Sequence, residues 1–334
     1  MMLCEVLQPG LWTTIQDLGR PGWQQFGIPV AGAMDAYAFR LANRLLGNGD
    51  NAAALEMTLL GPTLRFRRDT VLALTGGDLA PELNGQAAPM WQTMAVRAGD
   101  HLTFGGVNSG CRAYLAVAGG FDVPVVLGSR STYVRGSLGG LEGRPLKTGD
   151  ILAAGQLRRQ AGAGIRVPDY LIPYYSEEIE VRVVLGPEQN RFTPDSIRAF
   201  LSTPYMVTPE ADRMGCRLAG PRLYHTGGAD IISGGLPPGA VQVPGHGQPI
   251  IMLADRQTTG GYARIATVIS ADLPRLAQAK PGDRLCFTPV SVTEAQVILR
   301  QTAGNLACWP EKKKSYTYCI TVNGTVYNTV VREV

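Results

Sequence analysis

Short apolar and β-branched runs, each closed by glycine, proline, asparagine or aspartate, recur along most of the chain, at 70–75, 113–118, 180–185, 250–254, 264–269 and 284–288. Runs of this length between turn residues predict strands, so the fold class expected is mainly β with a few helices. The best helical pattern starts at Asp35 as N-cap, places Ala38, Leu41, Ala42, Leu45 and Leu46 at helical spacing, and stops at Gly47-Asn48. Shorter helical patterns occupy 194–201, 271–279 behind Ser270, and 294–301 behind Thr293.

One local phrase occurs three times. Arg97-Ala-Gly-Asp100, Lys147-Thr-Gly-Asp150 and Lys280-Pro-Gly-Asp283 each set a basic residue and a Gly-Asp turn before an apolar strand, and glycine permits the left-handed backbone that such a turn needs. Strand-plus-glycine-loop phrases also recur, at 114–122 and again at 251–262. Together they predict two similar β-barrels joined through a polar stretch at 156–169. The expected division is a first lobe over 1–165, a second over 170–300, and a linker with a terminal hairpin over 301–334.

Composition narrows the function classes. An apolar fraction of 45% in 334 residues is enough to bury a core and excludes disorder, while 41 glycines and 23 prolines imply many turns. A net charge of +4 is too small for a dedicated nucleic-acid binder. No apolar run approaches a membrane span and residues 1–16 lack the pattern of a leader, so a cytoplasmic protein with neither membrane nor nucleic acid as partner is expected. The six cysteines show no two-residue spacing and the three histidines stand singly. Reduced structural thiols, no metal site and no histidine-based triad follow.

Four polar, glycine-rich segments are candidates for chemistry. In 13–35, glycines such as Gly19 let the backbone approach a ligand beside Gln16, Asp17 and Arg20, and the helix start at Asp35 offers free N–H groups; the alternative is a capped helix with Asp17 paired to Arg20. Residues 119–132 carry Gly128 and Arg130, and 254–262 carry Asp255, Gln257, Thr259 and Tyr262, each on a flexible loop after a buried-looking strand. Asp255 could accept hydrogen bonds from an amide or ureido N–H, or simply pair with Arg256. The remaining segment, 233–247, brings Gln242 and His246 to a backbone-rich rim, or serves as a structural turn system.

The phrases Thr14-Ile-Gln-Asp17-Leu-Gly19-Arg20-Pro-Gly22, Gly27-Ile-Pro-Val-Ala-Gly32-Ala-Met34-Asp35, Leu115-Ala-Val-Ala-Gly-Gly-Phe121, Gly128-Ser-Arg-Ser-Thr132 and Ala254-Asp-Arg-Gln-Thr-Thr-Gly-Gly-Tyr262 resemble the family called allophanate hydrolase subunit 2. That family includes one of the subunits of the prokaryotic ATP-dependent 5-oxoprolinase and is similar to one half of the carboxyltransferase domain of urea carboxylase. The resemblance implies two cyclophilin-like β-barrel lobes and a subunit-1-type partner, with an active site where the two meet and a third subunit or a biotin carrier as further candidate partners. It implies ATP-driven opening of 5-oxoproline to glutamate, with Arg20 stabilising charge on the amide oxygen and Asp17 or Asp35 positioning substrate or water. One alternative is biotin-dependent carboxyl transfer to urea or an amide, with Asp255 on the ureido group of biotin supplied in trans. Another is a non-catalytic antagonist of a kinase inhibitor. There is no Gly-Lys-Ser/Thr phosphate loop, so ATP, expected with the partner subunit, would be contacted by unfamiliar loops of this chain or by partners.

The tail departs from this pattern. After Lys312-Lys313-Lys314, alternation around Asn323-Gly324 predicts a hairpin. It resembles the opening hairpin of a biotin carboxyl carrier domain, without the Met-Lys-Met site that carries biotin; the alternative is an edge hairpin that pairs with the barrel or another chain.

Overall fold

A computed structural model describes residues 2–156, 162–309, 315–322 and 325–332, the last two ranges as backbone strands. Part of the predicted connecting stretch at 156–169 and the Asn323-Gly324 turn itself lie outside the described residues. The two terminal strands, Ser315–Val322 and Thr325–Arg332, pair antiparallel with Val322 opposite Thr325, which is the register a two-residue turn dictates.

The first half builds two sheets around one core. A five-stranded sheet, in the order Trp12–Gln16, Ala54–Thr58, Ser109–Val117, Thr70–Asp78 and Thr93–Val96, faces a six-stranded sheet that contains Met2–Gln8, Thr63–Phe66 and His101–Phe104. Period-two alternation explains the unbroken apolar run in Ser109–Val117. Ala113, Leu115 and Val117 enter the core between the sheets, whereas Tyr114 and Ala116 face helix α1 (Ala36–Leu45) on the outside. The Asp35 side chain caps that helix by accepting from Ala38 N at 2.9 Å, as its sequence predicts.

The second half closes completely. Seven strands, Glu178–Leu185, Arg264–Val268, Ala240–Gln242, Ile250–Met252, Gly215–Ala219, Tyr205–Val207 and Arg284–Pro289, form a barrel, sealed by parallel pairing of the first with the last. Closure leaves no free edge and turns alternate side chains into one core. Helix α2 (Pro194–Ser202) covers one end, stacking Phe200 on Phe287 at 4.3 Å. Helix α3 is short (Leu273–Leu276): Arg182 on the neighbouring strand holds Asp272 at its start, and the chain leaves the helix to bring Gln278 inward. Helix α4 is longer than its apolar pattern (Val292–Ala307): Ser291 and Glu294 form a capping box two residues ahead of the Thr293 start, and the helix continues past 301 to Ala307.

The repeated Gly-Asp phrase is one structural device used three times. Asp100, Asp150 and Asp283 each accept from the backbone N–H three residues earlier, at 2.7, 2.7 and 2.9 Å. Gly99, Gly149 and Gly282 all have positive φ, at 96°, 88° and 95°. Each turn also exchanges two backbone hydrogen bonds with a neighbouring strand, at Phe66, Val6 and Val207 respectively. The three basic residues differ in side-chain use, so the turn rests on glycine and aspartate.

The halves are joined by side chains as well as by chain. Met34, ahead of α1, inserts into the core of the barrel. Gln278 accepts from Cys111 N and Arg112 N and donates to Arg112 O and to Asp35 Oδ2, while Tyr175 also donates to Asp35. Burial, only partly offset by these donors, raises the Asp35 carboxyl to about 6. A folded-state pKa above the unfolded value means that the folded chain binds more protons between about pH 4 and 6, so this group's stabilisation is complete at lower pH and is lost as pH rises through 6. Against Asp35→Asn, the stability of the wild type should therefore fall by about 2 kcal/mol from pH 4 to pH 7. Urea melts of both proteins across that range check it, and a constant difference would contradict it.

The described cysteines are unpaired, and burial pushes the Cys4 and Cys216 thiols up to about 12, in keeping with inert structural thiols. Among the described residues no helix is long and apolar enough to cross a membrane, and no group of three or more His, Cys, Asp or Glu could hold a metal ion.

Candidate active site

A cleft with two connected cavities runs between the halves. The first, of about 440 Å³, is walled by Trp12, Thr58 and Arg112 from the first half and by Arg213, Met214 and Asp255 from the barrel. The second, of about 360 Å³, is walled mainly by the barrel, through Arg217, Gln242, His246, Gln257 and Tyr262. Arg135, Asp212 and Met214 border both. Arg135 reaches Asp212 across the cleft at 3.4 Å, so an exposed and weak ion pair forms the partition. Both volumes suit a small molecule.

Arg213 organises the first cavity. It binds Asp255 through two nitrogens, at 2.9 Å each, contacts Glu56 through a third, and donates to Gly32 O at 2.7 Å. Glu56 is held in turn by Met34 N and Tyr114 Oη. Burial opposes the Arg213 charge, yet Asp255 and Glu56 outweigh it and hold the guanidinium above its ordinary pKa. Asp255 is thereby presented to the cavity in one fixed orientation. It pairs with Arg213, not with Arg256, which instead donates to Leu236 O and Leu253 O. On the opposite wall, Thr58 Oγ1 and Arg112 Nε are buried and have no hydrogen-bond partner among the described residues.

The second cavity gathers four of the residues predicted from the glycine-rich loops of the second half. Gln242 and Tyr262 are linked directly, Gln242 Nε2 donating to Tyr262 O at 3.2 Å. His246 Nδ1 accepts from Gln248 N, which leaves Nε2 as the donor toward the cavity. Thr259 sits on the ribbon Asp230–Gly235/Thr259–Tyr262, opposite Gly235 and outside the cavity lining.

The first-half candidates lie behind the cleft rather than on it. Asp17 does not pair with Arg20 through the charged contact its spacing suggested: its carboxylate accepts from Gly19 N, Ser129 Oγ, Ser131 Oγ and Arg130 N. Arg20 is fully buried, donates to Ser131 O, and has two further nitrogens without partners among the described residues. Burial lowers its pKa, an effect that the nearby Asp17 and Asp255 charges partly offset. Gln16 donates to Thr14 and to Thr132 O, Gly19 turns with φ of 90° against Val30, Gly128 supplies another positive-φ turn, and Arg130 Nε donates to Val123 O. Asp35 is occupied as helix cap and inter-half acceptor. The two glycine-rich segments thus pack on each other as a support.

Residues that do form the first-half wall, Trp12, Thr58, Arg112 and Arg135, escape a motif reading. Trp12 and Arg112 both pair with Thr58 across strands, so only the register brings them together. Arg213 did carry a signal. Ala211-Asp212-Arg213 repeats Ala254-Asp255-Arg256, and the two phrases lie side by side, with Asp255 N bonded to Arg213 O at 2.9 Å.

Residues 26–289 match the family model for the carboxyltransferase domain, subdomain A and B. The chain is 42% identical to a 5-oxoprolinase subunit of Escherichia coli over 293 residues, covering 88% of this chain and 93% of that protein. It is 39% identical to the urea amidolyase of Lachancea kluyveri over 318 residues, which span 87% of this chain and only 17% of that larger protein. The crystal structure of the Kluyveromyces lactis urea carboxylase superposes with a TM-score of 0.88 at 35% identity, over 93% of this chain and 29% of that one. A mainly β architecture, a closed barrel and a cleft between two halves accompany this likeness, and the chain belongs to the carboxyltransferase domain family, subdomains A and B.

Proposed function

We propose that this chain is a subunit of an ATP-dependent amidohydrolase of the 5-oxoprolinase type, which converts 5-oxoproline to glutamate together with a subunit-1-type partner. The observation that carries this reading is the match to the Escherichia coli 5-oxoprolinase subunit along nearly the whole length of both chains. The cleft supports it by offering a fixed carboxylate, a histidine donor and two glutamine amides in a space of small-molecule size. The sequence carries no Gly-Lys-Ser/Thr phosphate loop, and in this reading ATP is bound together with the partner subunit. Asp255, oriented by Arg213, accepts a proton from the water that adds to the amide carbon. Arg20, Asp17 and Asp35 act as positioning groups from behind the wall.

A second reading, biotin-dependent carboxyl transfer to urea or an amide, is favoured by the close superposition on urea carboxylase. The first cavity fits a ureido ring, since Asp255 would accept its N–H groups between the apolar faces of Leu11, Trp12, Val134 and Met214. The terminal hairpin, similar to the start of a biotin carrier domain, is compatible with biotin presented in trans.

Co-purified with its partner subunits, the protein is expected to hydrolyse ATP in response to 5-oxoproline, and Asp255→Ala should lower that response by about 100-fold. Phosphate release with 5-oxoproline, urea and simple amides is the measurement. A folded complex that ignores 5-oxoproline but consumes carboxybiotin with urea would replace the first reading by the second. A complex inert to every substrate would leave the regulatory alternative.

A further inference from the structure

The second cavity holds charge and hydrogen-bonding capacity that the fold itself does not use. Arg217 makes no ion pair and no side-chain hydrogen bond among the described residues, although it lines the cavity; Glu210 feels its charge without reaching ion-pair distance. Gln242 is 2% exposed. Its Nε2 is committed to Tyr262 O, which fixes the amide orientation and leaves Oε1 without a partner among the described residues. A Cβ on residue 260 would come within 2.5 Å of Gln242 Nε2, so Gly260 keeps that side chain in place. Arg135, held among the described residues only by the 3.4 Å contact to Asp212, stands at the entrance.

We propose that this cavity is the recognition subsite for a small amide that also carries a carboxylate. Arg217 receives the carboxylate through its planar fork, joined by Arg135 when that residue leaves Asp212, and Gln242 Oε1 accepts the amide N–H. A neutral urea or a simple amide satisfies Gln242 and leaves Arg217 unused, so the subsite discriminates by charge. This assignment rests on reading the cleft as an amide site, and it names the substrate class within that reading.

Calorimetric titration of the chain in complex with its partner subunits tests it, using 5-oxoproline, N-acetylglycine, 2-pyrrolidinone and inorganic phosphate as probes. Arg217→Met should weaken binding of the two carboxylated amides by about 10- to 100-fold and leave 2-pyrrolidinone unchanged. Gln242→Met should weaken the lactams with and without a carboxylate alike. Arg217 is exposed on the barrel wall, so an unchanged melting temperature is expected and separates recognition from folding. If N-acetylglycine binds in an Arg217-dependent way and 5-oxoproline does not, the subsite stands and the 5-oxoprolinase reading falls. Equal binding of carboxylated amides to wild type and Arg217→Met, competition by phosphate as strong as by the amides, or no binding of any carboxylated amide would overturn the subsite.

Discussion

Replacing Arg213 by methionine is expected to destabilise the folded chain by about 3–5 kcal/mol, because it leaves two buried carboxylates without their shared cation. Glu56 and Asp255 are 1% and 8% exposed at the side chain, so water cannot take over from the guanidinium. Glu56 retains Met34 N and Tyr114 Oη as donors, whereas Asp255 loses both of its side-chain contacts. Lysine would restore one positive charge but not the fork that serves Asp255, Glu56 and Gly32 O together, so Arg213→Lys should fall between the wild type and the methionine variant. Removing the carboxylates as well, in Arg213→Met with Glu56→Gln and Asp255→Asn, should recover much of the loss. Urea unfolding of the single, double and triple variants measures this, and a cost below about 1 kcal/mol for Arg213→Met would show that the triad is not a buried ion network. The same residue ties Asp255 to the cleft, so activity should fall further than stability.

How much of this was legible beforehand depends on whether the determinant is local. Turn chemistry is local, and Gly99-Asp100, Gly149-Asp150 and Gly282-Asp283 announce the same turn in sequence and adopt it in the fold. Gln242, His246, Gln257 and Tyr262 stand on glycine-rich loops at barrel strand ends, where the closed barrel gathers them into one cavity. The opposite wall is non-local: nothing near Trp12 or Arg112 reveals that both flank Thr58, since that is a fact of register. Proximity in sequence also misleads. Asp17 and Arg20 are three residues apart, which makes neighbours on a helix but not in a loop turned by Gly19, and Asp17 finds three of its four donors more than a hundred residues away. Likewise Asp255 passes over the adjacent Arg256 for Arg213.

That long-range dependence makes Asp17→Ala the second large expected effect, a loss of about 3–5 kcal/mol. Two backbone donors, Gly19 N at 2.7 Å and Arg130 N at 2.6 Å, cannot turn to other acceptors, and the Ser129 and Ser131 hydroxyls lose a common one. Arg20, fully buried, loses one of the two carboxylates that favour its charge. Asp17→Asn separates these contributions. Its oxygen can keep the three bonds now made to Oδ1, while its amide nitrogen faces Arg130 N as donor against donor, so about 1–3 kcal/mol is expected. Chemical denaturation ranks the variants, and an asparagine as costly as alanine would point to the charge on Arg20 rather than the loop donors. The consequence reaches the cleft through the chain itself. Asp17 anchors residues 129–131, and Arg135 at the partition follows only four residues later. A loosened loop carries Arg135 away from both cavities, so an Asp17 variant that remains folded should bind carboxylated amides less tightly without having lost any group that touches them.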